Sequence, residues 1–190
     1  MDRKTMVRYL FRNRKGSSGN NVSWTNKCVN WWQHDNKNII KGDIMDMKKL
    51  QEELTFDEGC VDKIYLDHLG YPTFGIGHLI LETDPEHGQD VDTPVSKERI
   101  DECFGNDIQN VINDLDRNME WWKDLPEDLQ RVMANMCFNL GITRLLKFKN
   151  FLAAMENNDW DKAAVEMLDS RWAIQVGPRA IRLKDRVIGA

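Results

Sequence analysis

The stretch from Phe56 to His78, FDEGCVDKIYLDHLGYPTFGIGH, constrains the fold more than any other part of this 190-residue chain. It begins in a predicted amphipathic helix whose apolar residues recur at helical spacing: Met47, Leu50 and Leu54. Gly59 suits the left-handed position that ends a helix, so Glu58 is expected at the helix C-terminus. The chain thus places a carboxyl group directly before a turn rich in glycine.

Two short strands are predicted after this helix, Ile64 to Leu66 and Thr73 to His78, joined by a turn. Side chains alternate along a strand, so Thr73, Gly75 and Gly77 are predicted to share one face. Glycine inside a strand is costly unless something approaches the backbone closely. A sugar ring lying on this face would account for the two glycines.

The composition indicates one folded domain, alone or with an appendage. The chain is 41% hydrophobic, and no apolar run approaches the roughly 18 residues that a membrane-spanning helix requires. The basic N-terminus lacks a sustained apolar segment, so no signal peptide is recognised. The four cysteines lack the spacing of a metal site, and we expect Cys103 and Cys137 to be reduced core residues.

The net charge of −5 is unevenly distributed. Residues 1–50 contain 11 Lys or Arg and 4 Asp or Glu, whereas residues 51–190 contain 15 and 27. Residues 1–44 also hold a Gly/Ser/Asn linker and three tryptophans, without helical or strand periodicity. We therefore predict an N-terminal extension, 1–44, and a domain, 45–190. The extension is either a loosely ordered segment or an element whose tryptophans stack on sugars or a partner protein.

The remainder of the chain is predicted to be helical. Ser96 suits the N-cap of a long helix that continues to about Asn118. Further helices are predicted to be opened by Asp124 and Pro126, to contain Phe148 to Met155, to contain Trp160 to Leu168, and to follow Gly177 and Pro178. Methionine and aromatic residues at this spacing are expected to form core and not a cofactor site.

The chain resembles the lysozymes of T-even bacteriophages, glycoside hydrolase family 24, in both their endolysin and tail-associated forms. The similarity runs from about Met45 to Arg186 and is carried by the stretch Phe56 to His78 and by SRWAIQVGPRAIR, Ser170 to Arg182. It implies an α+β, predominantly helical fold, in which a long helix joins a small β-hairpin lobe to a helical lobe with the active site between them. It also implies a muramidase, which cleaves the β-1,4 bond between N-acetylmuramic acid and N-acetylglucosamine in peptidoglycan without a metal or organic cofactor.

The resemblance implies roles for four residues. Glu58 matches the general acid, Asp67 the second catalytic carboxylate, and Thr73 the hydroxyl that helps to hold the attacking water. Arg179 matches an arginine that orients the acid. The helix C-terminus and partial burial are expected to raise the pKa of Glu58, whereas a neighbouring cation would lower it.

Further matches imply substrate contacts and ion pairs. Substrate contacts are expected from Leu66, from the backbone of Phe74 and Gly75, and from Phe138 and Asn139. Asn139 stands where the family has a glutamine, and its shorter amide reaches less far. Ion pairs are expected between His78 and Asp107 and between Asp57 and Arg182, while His34, His68 and His87 are expected in solvent.

Three functions are open at this point: hydrolysis by single displacement with inversion, a peptidoglycan-binding or virion structural module, and a lytic transglycosylase. The combination of Glu58, Asp67, Thr73 and Arg179 favours hydrolysis, because a binding module has no need of all four. The partner is then bacterial peptidoglycan and not nucleic acid. We expect a monomer that acts either from the cytoplasm of an infected bacterium or from a phage tail.

Overall fold

A computed structural model describes residues 45–67 and 70–190. Its helices are α1 Met47–Glu58, α2 Lys97–Asn118, α3 Glu127–Leu140, α4 Ile142–Leu145, α5 Lys149–Glu156, α6 Trp160–Leu168, α7 Arg171–Val176 and α8 Pro178–Ile188, with a 3-10 helix at Glu120–Asp124. The strands β1 Val61–Leu66, β2 Pro72–Gly75 and β3 His78–Leu79 form one antiparallel sheet in the order β1-β2-β3. This confirms the predicted fold class. The predicted extension, His34 and His68 lie outside the described residues, and the division of the chain at residue 45 stays a prediction.

The described part of the chain divides into two compact units. The first unit contains residues 47–107, which include α1, the sheet and the beginning of α2. The second unit contains residues 108–190 together with residues 45 and 46. The boundary between the units therefore falls within the long helix.

The first unit is built around the inner face of its sheet. Its core cluster consists of Ile64, Phe74, Ile80, Val95, Ile100 and Cys103. The segment before α2 extends the sheet beyond β1, because the Ile64 N–H donates to the Thr93 carbonyl and the Val95 N–H to the Asp62 carbonyl, both at 2.9 Å. Burying each large apolar side chain contributes about 1.5–3 kcal/mol, so the packing of this cluster stabilises the small sheet.

The predicted second strand is wrong in its length. The segment from Thr73 to His78 does not form one strand, because β2 ends at Gly75 and β3 begins at His78. His78 pairs back with Phe74 across this tight turn. Gly77 in the turn has a φ of 75°, a conformation that glycine adopts far more readily than other residues.

The predicted explanation for Gly75, close approach of a sugar ring, is also wrong. Its φ is 60°, and a Cβ atom at this position would lie 2.9 Å from Cγ2 of Ile100. The close approach is therefore made by a side chain of α2 and not by a sugar ring. Glycine at position 75 allows the sheet to pack directly on that helix.

The second unit is helical, and its predicted apolar stripes form the core. The largest fully buried side chains are Leu115, Trp122, Leu129, Met133, Met136, Leu145, Phe151 and Met155. Asp124 lies in the 3-10 helix instead of opening α3, whose first residue is Glu127. The short helices α4 and α7 were not predicted, since four to six residues give too little periodicity to recognise.

Two further predictions are confirmed. Ser96 caps α2, because its Oγ accepts a hydrogen bond from the Arg99 N–H at 3.2 Å. Cys103 and Cys137 are buried, as expected of core residues, and form no disulfide within the described ranges, while Cys60 is partly buried. Across residues 45–67 and 70–190, no helix is both long and apolar enough to cross a membrane.

Candidate active site

Glu58 is the last residue of α1 and is only 6% exposed. Leu50 and Leu54 anchor this helix, since both are fully buried. The helix ends where predicted, because Gly59 has a φ of 76° and its N–H donates to the Thr55 carbonyl at 2.9 Å.

The turn after β1 holds Asp67 and Thr73 through the backbone of one residue, Tyr71. The Tyr71 N–H donates to Asp67 Oδ1 at 2.8 Å, and the Asp67 N–H donates to the Tyr71 carbonyl at 2.9 Å. The same carbonyl accepts from the Thr73 hydroxyl at 3.1 Å. Asp67 is 5% exposed and Thr73 is fully buried, so both side chains are held in fixed positions.

Tyr65 is a further residue of this region that was not predicted. It lies on β1 directly opposite Thr73 on β2, which places the two side chains on one face of the sheet. Its hydroxyl is buried and has no hydrogen-bond partner among the residues that the structure describes. Burial raises the pKa of Tyr65, and the negative charges of Glu58 and then Asp67 raise it further. The phenol is therefore near both candidate carboxylates.

His78 lies between two carboxylates. Its Nδ1 is 2.9 Å from Asp107 Oδ2, so the structure brings the predicted pair together, and its Nε2 is 3.3 Å from Asp84 Oδ2. Burial opposes a charge on the ring, but hydrogen bonds to Asp107 and Cys103 outweigh it and raise the pKa of His78 to about 10. His78 is thus a cation in a structural network.

Asp84 extends this network and was not predicted. Its Oδ2 accepts from the Leu81 N–H at 2.6 Å, and its Oδ1 accepts from Arg99 Nη2 at 3.0 Å. Arg99 Nε also donates to Glu86 Oε1 at 2.9 Å. The sequence gives little warning of these contacts, because Asp84 and Glu86 lie in a polar loop with no regular period.

Arg179 lies in the first turn of α8 and is 6% exposed. Its Nε donates to Asn135 Oδ1 at 2.8 Å, and its Nη2 donates to the Asn135 carbonyl at 3.2 Å. Asn135, on α3, is fully buried and was not predicted as a partner. The orienting role predicted for Arg179 towards Glu58 stays a prediction.

One of the two predicted contact residues on α3, Asn139, is held by a tryptophan. Trp172 Nε1 donates to Asn139 Oδ1 at 2.8 Å, and Phe138 and Asn139 are each 5% exposed. Trp172 packs edge-on against Phe148, with ring centroids 6.2 Å apart. Both rings line a cavity of about 760 Å³ within the second unit.

The other predicted residues lie in different settings. Leu66 is 51% exposed, which leaves its side chain accessible for the expected contact. Phe74 is fully buried, and the contact expected from its backbone stays a prediction. The ion pair between Asp57 and Arg182 stays a prediction. Over the two described ranges, no group of three or more His, Cys, Asp or Glu residues could hold a metal ion.

The sequence pattern of the family described as phage lysozyme matches residues 56–186. The chain belongs to the phage lysozyme family. The match begins two residues before Glu58 and ends at residue 186, beyond Arg179 in α8. It therefore includes every residue to which we assign a site role. As a phage lysozyme, the chain is a glycoside hydrolase, and its substrate class is peptidoglycan.

Two of the proteins similar to this phage lysozyme are themselves named lysozymes. The pre-baseplate central spike protein Gp5 of Enterobacteria phage T4 is 32% identical over 152 residues, which cover 70% of this chain and 26% of that protein. The chain thus spans about a quarter of the length of Gp5. Two proteins of Dictyostelium discoideum, named probable T4-type lysozyme 2 and 1, are each 28% identical over 156 residues, which cover 72% of this chain and 92% of each relative.

Proposed function

We propose that this lysozyme hydrolyses the β-1,4 bond between N-acetylmuramic acid and N-acetylglucosamine, by a single displacement that inverts the anomeric configuration. The observation that carries the proposal is a pair of buried carboxyl groups, Glu58 and Asp67, 6% and 5% exposed, with a fixed hydroxyl at Thr73. Glycoside hydrolysis requires one carboxyl group that gives a proton and one carboxylate that supports attack. The ten residues from Glu58 to Asp67 supply both.

Glu58 is the proton donor in this proposal. It gives its proton to the glycosidic oxygen as the bond from that oxygen to the anomeric carbon breaks, which leaves Glu58 as a carboxylate. Asp67 and the hydroxyl of Thr73 hold a water molecule on the opposite face of the sugar. Asp67 takes up a proton from this water molecule as the water oxygen forms its bond to the anomeric carbon.

Two geometric features support these roles. Asp67 Oδ1 is held by the Tyr71 N–H, so the carboxylate cannot rotate freely. The Thr73 hydroxyl donates to the Tyr71 carbonyl at 3.1 Å, which leaves its oxygen lone pairs to accept from a water molecule. A nucleophile held in this way needs less reorganisation in the transition state.

We also propose that Arg179 orients Glu58. This proposal rests on the matching closing motif and on the fixed position of the guanidinium, which Asn135 holds through two hydrogen bonds. Arg179→Lys keeps the charge but loses the planar guanidinium, which can donate two hydrogen bonds at once. If the role is one of orientation, the lysine variant should lose most of the activity while it keeps its fold.

Analysis of the products from purified peptidoglycan tests the reaction. A reducing sugar end indicates hydrolysis, an anhydro-muramic end indicates a lytic transglycosylase, and undiminished polymer indicates a binding module. We expect reducing ends. Proton NMR of a fresh digest tests the stereochemistry, because an inverting enzyme first releases the α-anomer from a β-linked substrate. Initial release of the β-anomer would contradict single displacement.

We further propose that residues 45–190 form the catalytic domain and that residues 1–44 are not needed for the chemistry. A chain that starts at Met45 should then cleave soluble peptidoglycan fragments as fast as the full chain. On intact walls the basic extension should help at low salt, and the advantage should shrink as salt screens it over about 8 Å at physiological ionic strength. Loss of folding in the shortened chain would show instead that residues 1–44 belong to the domain.

The place of action and the assembly state are also proposals. We propose a monomer, delivered to the wall either from the cytoplasm of the infected bacterium or from a phage tail. Sedimentation tests the first statement. Antibodies against this chain distinguish the two routes, because only a tail component is found on purified phage particles.

A further inference from the structure

The phenol of Tyr65 is a buried polar group that the proposed chemistry does not use. Its hydroxyl is shielded from water and makes no hydrogen bond to any residue within 45–67 or 70–190. Buried hydroxyls of tyrosine usually have a partner, because an unsatisfied donor loses the hydrogen bond that it made to water. A phenylalanine would fill the same space without this cost, so the hydroxyl needs a functional explanation.

The position of Tyr65 indicates which groups it serves. It lies opposite Thr73 across the β1-β2 ladder, and Asp67 follows it by two residues. Among the charged groups that act on the phenol, Glu58 has the largest effect and Asp67 the next. Both have carboxylate oxygens, which accept hydrogen bonds, whereas the phenol is a donor.

We propose that Tyr65 is a positioning residue that acts through Glu58, by offering its buried hydroxyl as a hydrogen-bond donor to the carboxylate that forms when Glu58 gives up its proton. The proposal rests on the proposed function, in which Glu58 is the acid. Because burial and the two carboxylates raise the pKa of Tyr65, the phenol stays protonated and remains a donor wherever the enzyme works. Tyr65 donates a hydrogen bond in this role and transfers no proton itself.

The pH dependence of activity gives a direct test. A donor to the charged form of an acid stabilises that form, so the acid loses its proton at lower pH. Tyr65→Phe removes the donor and should move the basic limb of the pH profile for kcat/KM upwards by about 0.5 pH unit or more. Its maximum rate should fall at least about threefold, because the charge left on Glu58 is less well stabilised. The melting temperature should hold or rise, since an unsatisfied hydroxyl has been removed.

Site-specific replacement of Tyr65 by 3,5-difluorotyrosine sharpens this test. Fluorine makes the phenol a stronger donor in nearly the same volume, so the basic limb should move downwards, opposite to the phenylalanine variant. Thr93→Val is the matched control. It removes a hydroxyl from the segment that pairs with the other edge of β1, where Thr93 donates to the Asp90 carbonyl. This control should leave the limb in place.

The outcomes separate this proposal from the function on which it rests. If Tyr65→Phe lowers only the melting temperature, or if both Tyr65 variants keep the basic limb of the parent, the hydroxyl has no positioning role and the proposal is overturned. Glu58→Gln is measured beside them. An inactive Glu58→Gln with unmoved Tyr65 variants rejects the tyrosine alone, whereas a fully active Glu58→Gln rejects Glu58 as the acid.

Discussion

The two units of this lysozyme hold their candidate site residues in different ways. In the first unit, Asp67 and Thr73 are held by Tyr71, which is four and two residues away in the sequence. In the second unit, Arg179 is held by Asn135, which is 44 residues away. The first set of contacts can form within one turn, whereas the second requires helices α3 and α8 to be packed.

This difference predicts how each unit responds to mutation. A change at a short-range contact should alter the chemistry and leave the fold largely intact, because the turn is also held by its backbone hydrogen bonds. A change at a long-range contact should lower the free energy of unfolding and affect activity as a consequence. Four variants test this contrast.

The largest expected effect is on the chemistry of the first unit. Glu58→Gln keeps the shape of the side chain and removes the proton, so lysis of purified walls should fall about a hundredfold or more. Stability should hold or rise, because a buried functional carboxyl has been replaced by a neutral group. Glu52→Gln, on the exposed side of the same helix, is the control and should keep its activity. Near-normal lysis by Glu58→Gln would refute the assignment.

The corresponding change in the second unit should act on stability first. Asn135→Ala removes both the side-chain acceptor of the buried Arg179 Nε and part of a fully packed core, so the free energy of unfolding should fall by about 2–4 kcal/mol. Urea denaturation measures this loss. Asn113→Ala, at a solvent-exposed hydrogen bond on α2, should cost less than about 0.5 kcal/mol. Equal costs for the two would contradict the stabilising role assigned to the buried contact between Asn135 and Arg179.

His78 allows a test by pH. Its pKa is raised to about 10 in the folded state from about 6.5 when unfolded, so its stabilising contribution is complete below about pH 6.5 and is lost as the pH rises towards 10. His78→Asn should therefore lower the melting temperature more at about pH 5.5 than at about pH 8.5. The loss caused by Asn135→Ala should be the same at both pH values, because arginine stays charged. A pH-independent loss for His78→Asn would rule out the ion pair.

The smallest expected effect is at Trp172. Trp172→Phe keeps an aromatic ring against Phe148 but removes the hydrogen bond from Nε1 to Asn139, which should cost about 1 kcal/mol in unfolding free energy. Cleavage of soluble fragments should change little unless Asn139 contacts the sugar. Trp160→Phe, at a half-buried position on α6, provides the comparison. If Trp172→Phe lost activity without a comparable loss of unfolding free energy, the contact with Asn139 would be functional.

The sequence could predict the features that depend on residues close together in the chain. Glu58, Asp67 and Thr73 lie within one short motif, and the resemblance to the phage lysozymes implied the role predicted for each. The helix ending at Gly59 and the cap at Ser96 were predictable, since each depends on neighbours within a few residues. The periodic helices were predicted from residue spacing, and the fold class was implied by the resemblance to the phage lysozymes.

The remaining features depend on which distant residues come into contact. Neither Asn135 for Arg179 nor Trp172 for Asn139 could be paired from periodicity. The error over Gly75 has the same origin, because its neighbour Ile100 is 25 residues further along the chain. Alternation along one strand could not predict which distant side chain lies against position 75.

Tyr71 offers a position at which this enzyme can carry a spectroscopic label. All the contacts by which it holds Asp67 and Thr73 are made by its backbone, while its side chain is 43% exposed. The side chain can therefore be exchanged for a cysteine carrying a fluorophore or spin label without loss of those hydrogen bonds, whereas proline, which lacks an N–H, cannot be used. Position 71 is accordingly a suitable attachment point for a spectroscopic reporter that senses the arrival of sugar chains from a few residues away.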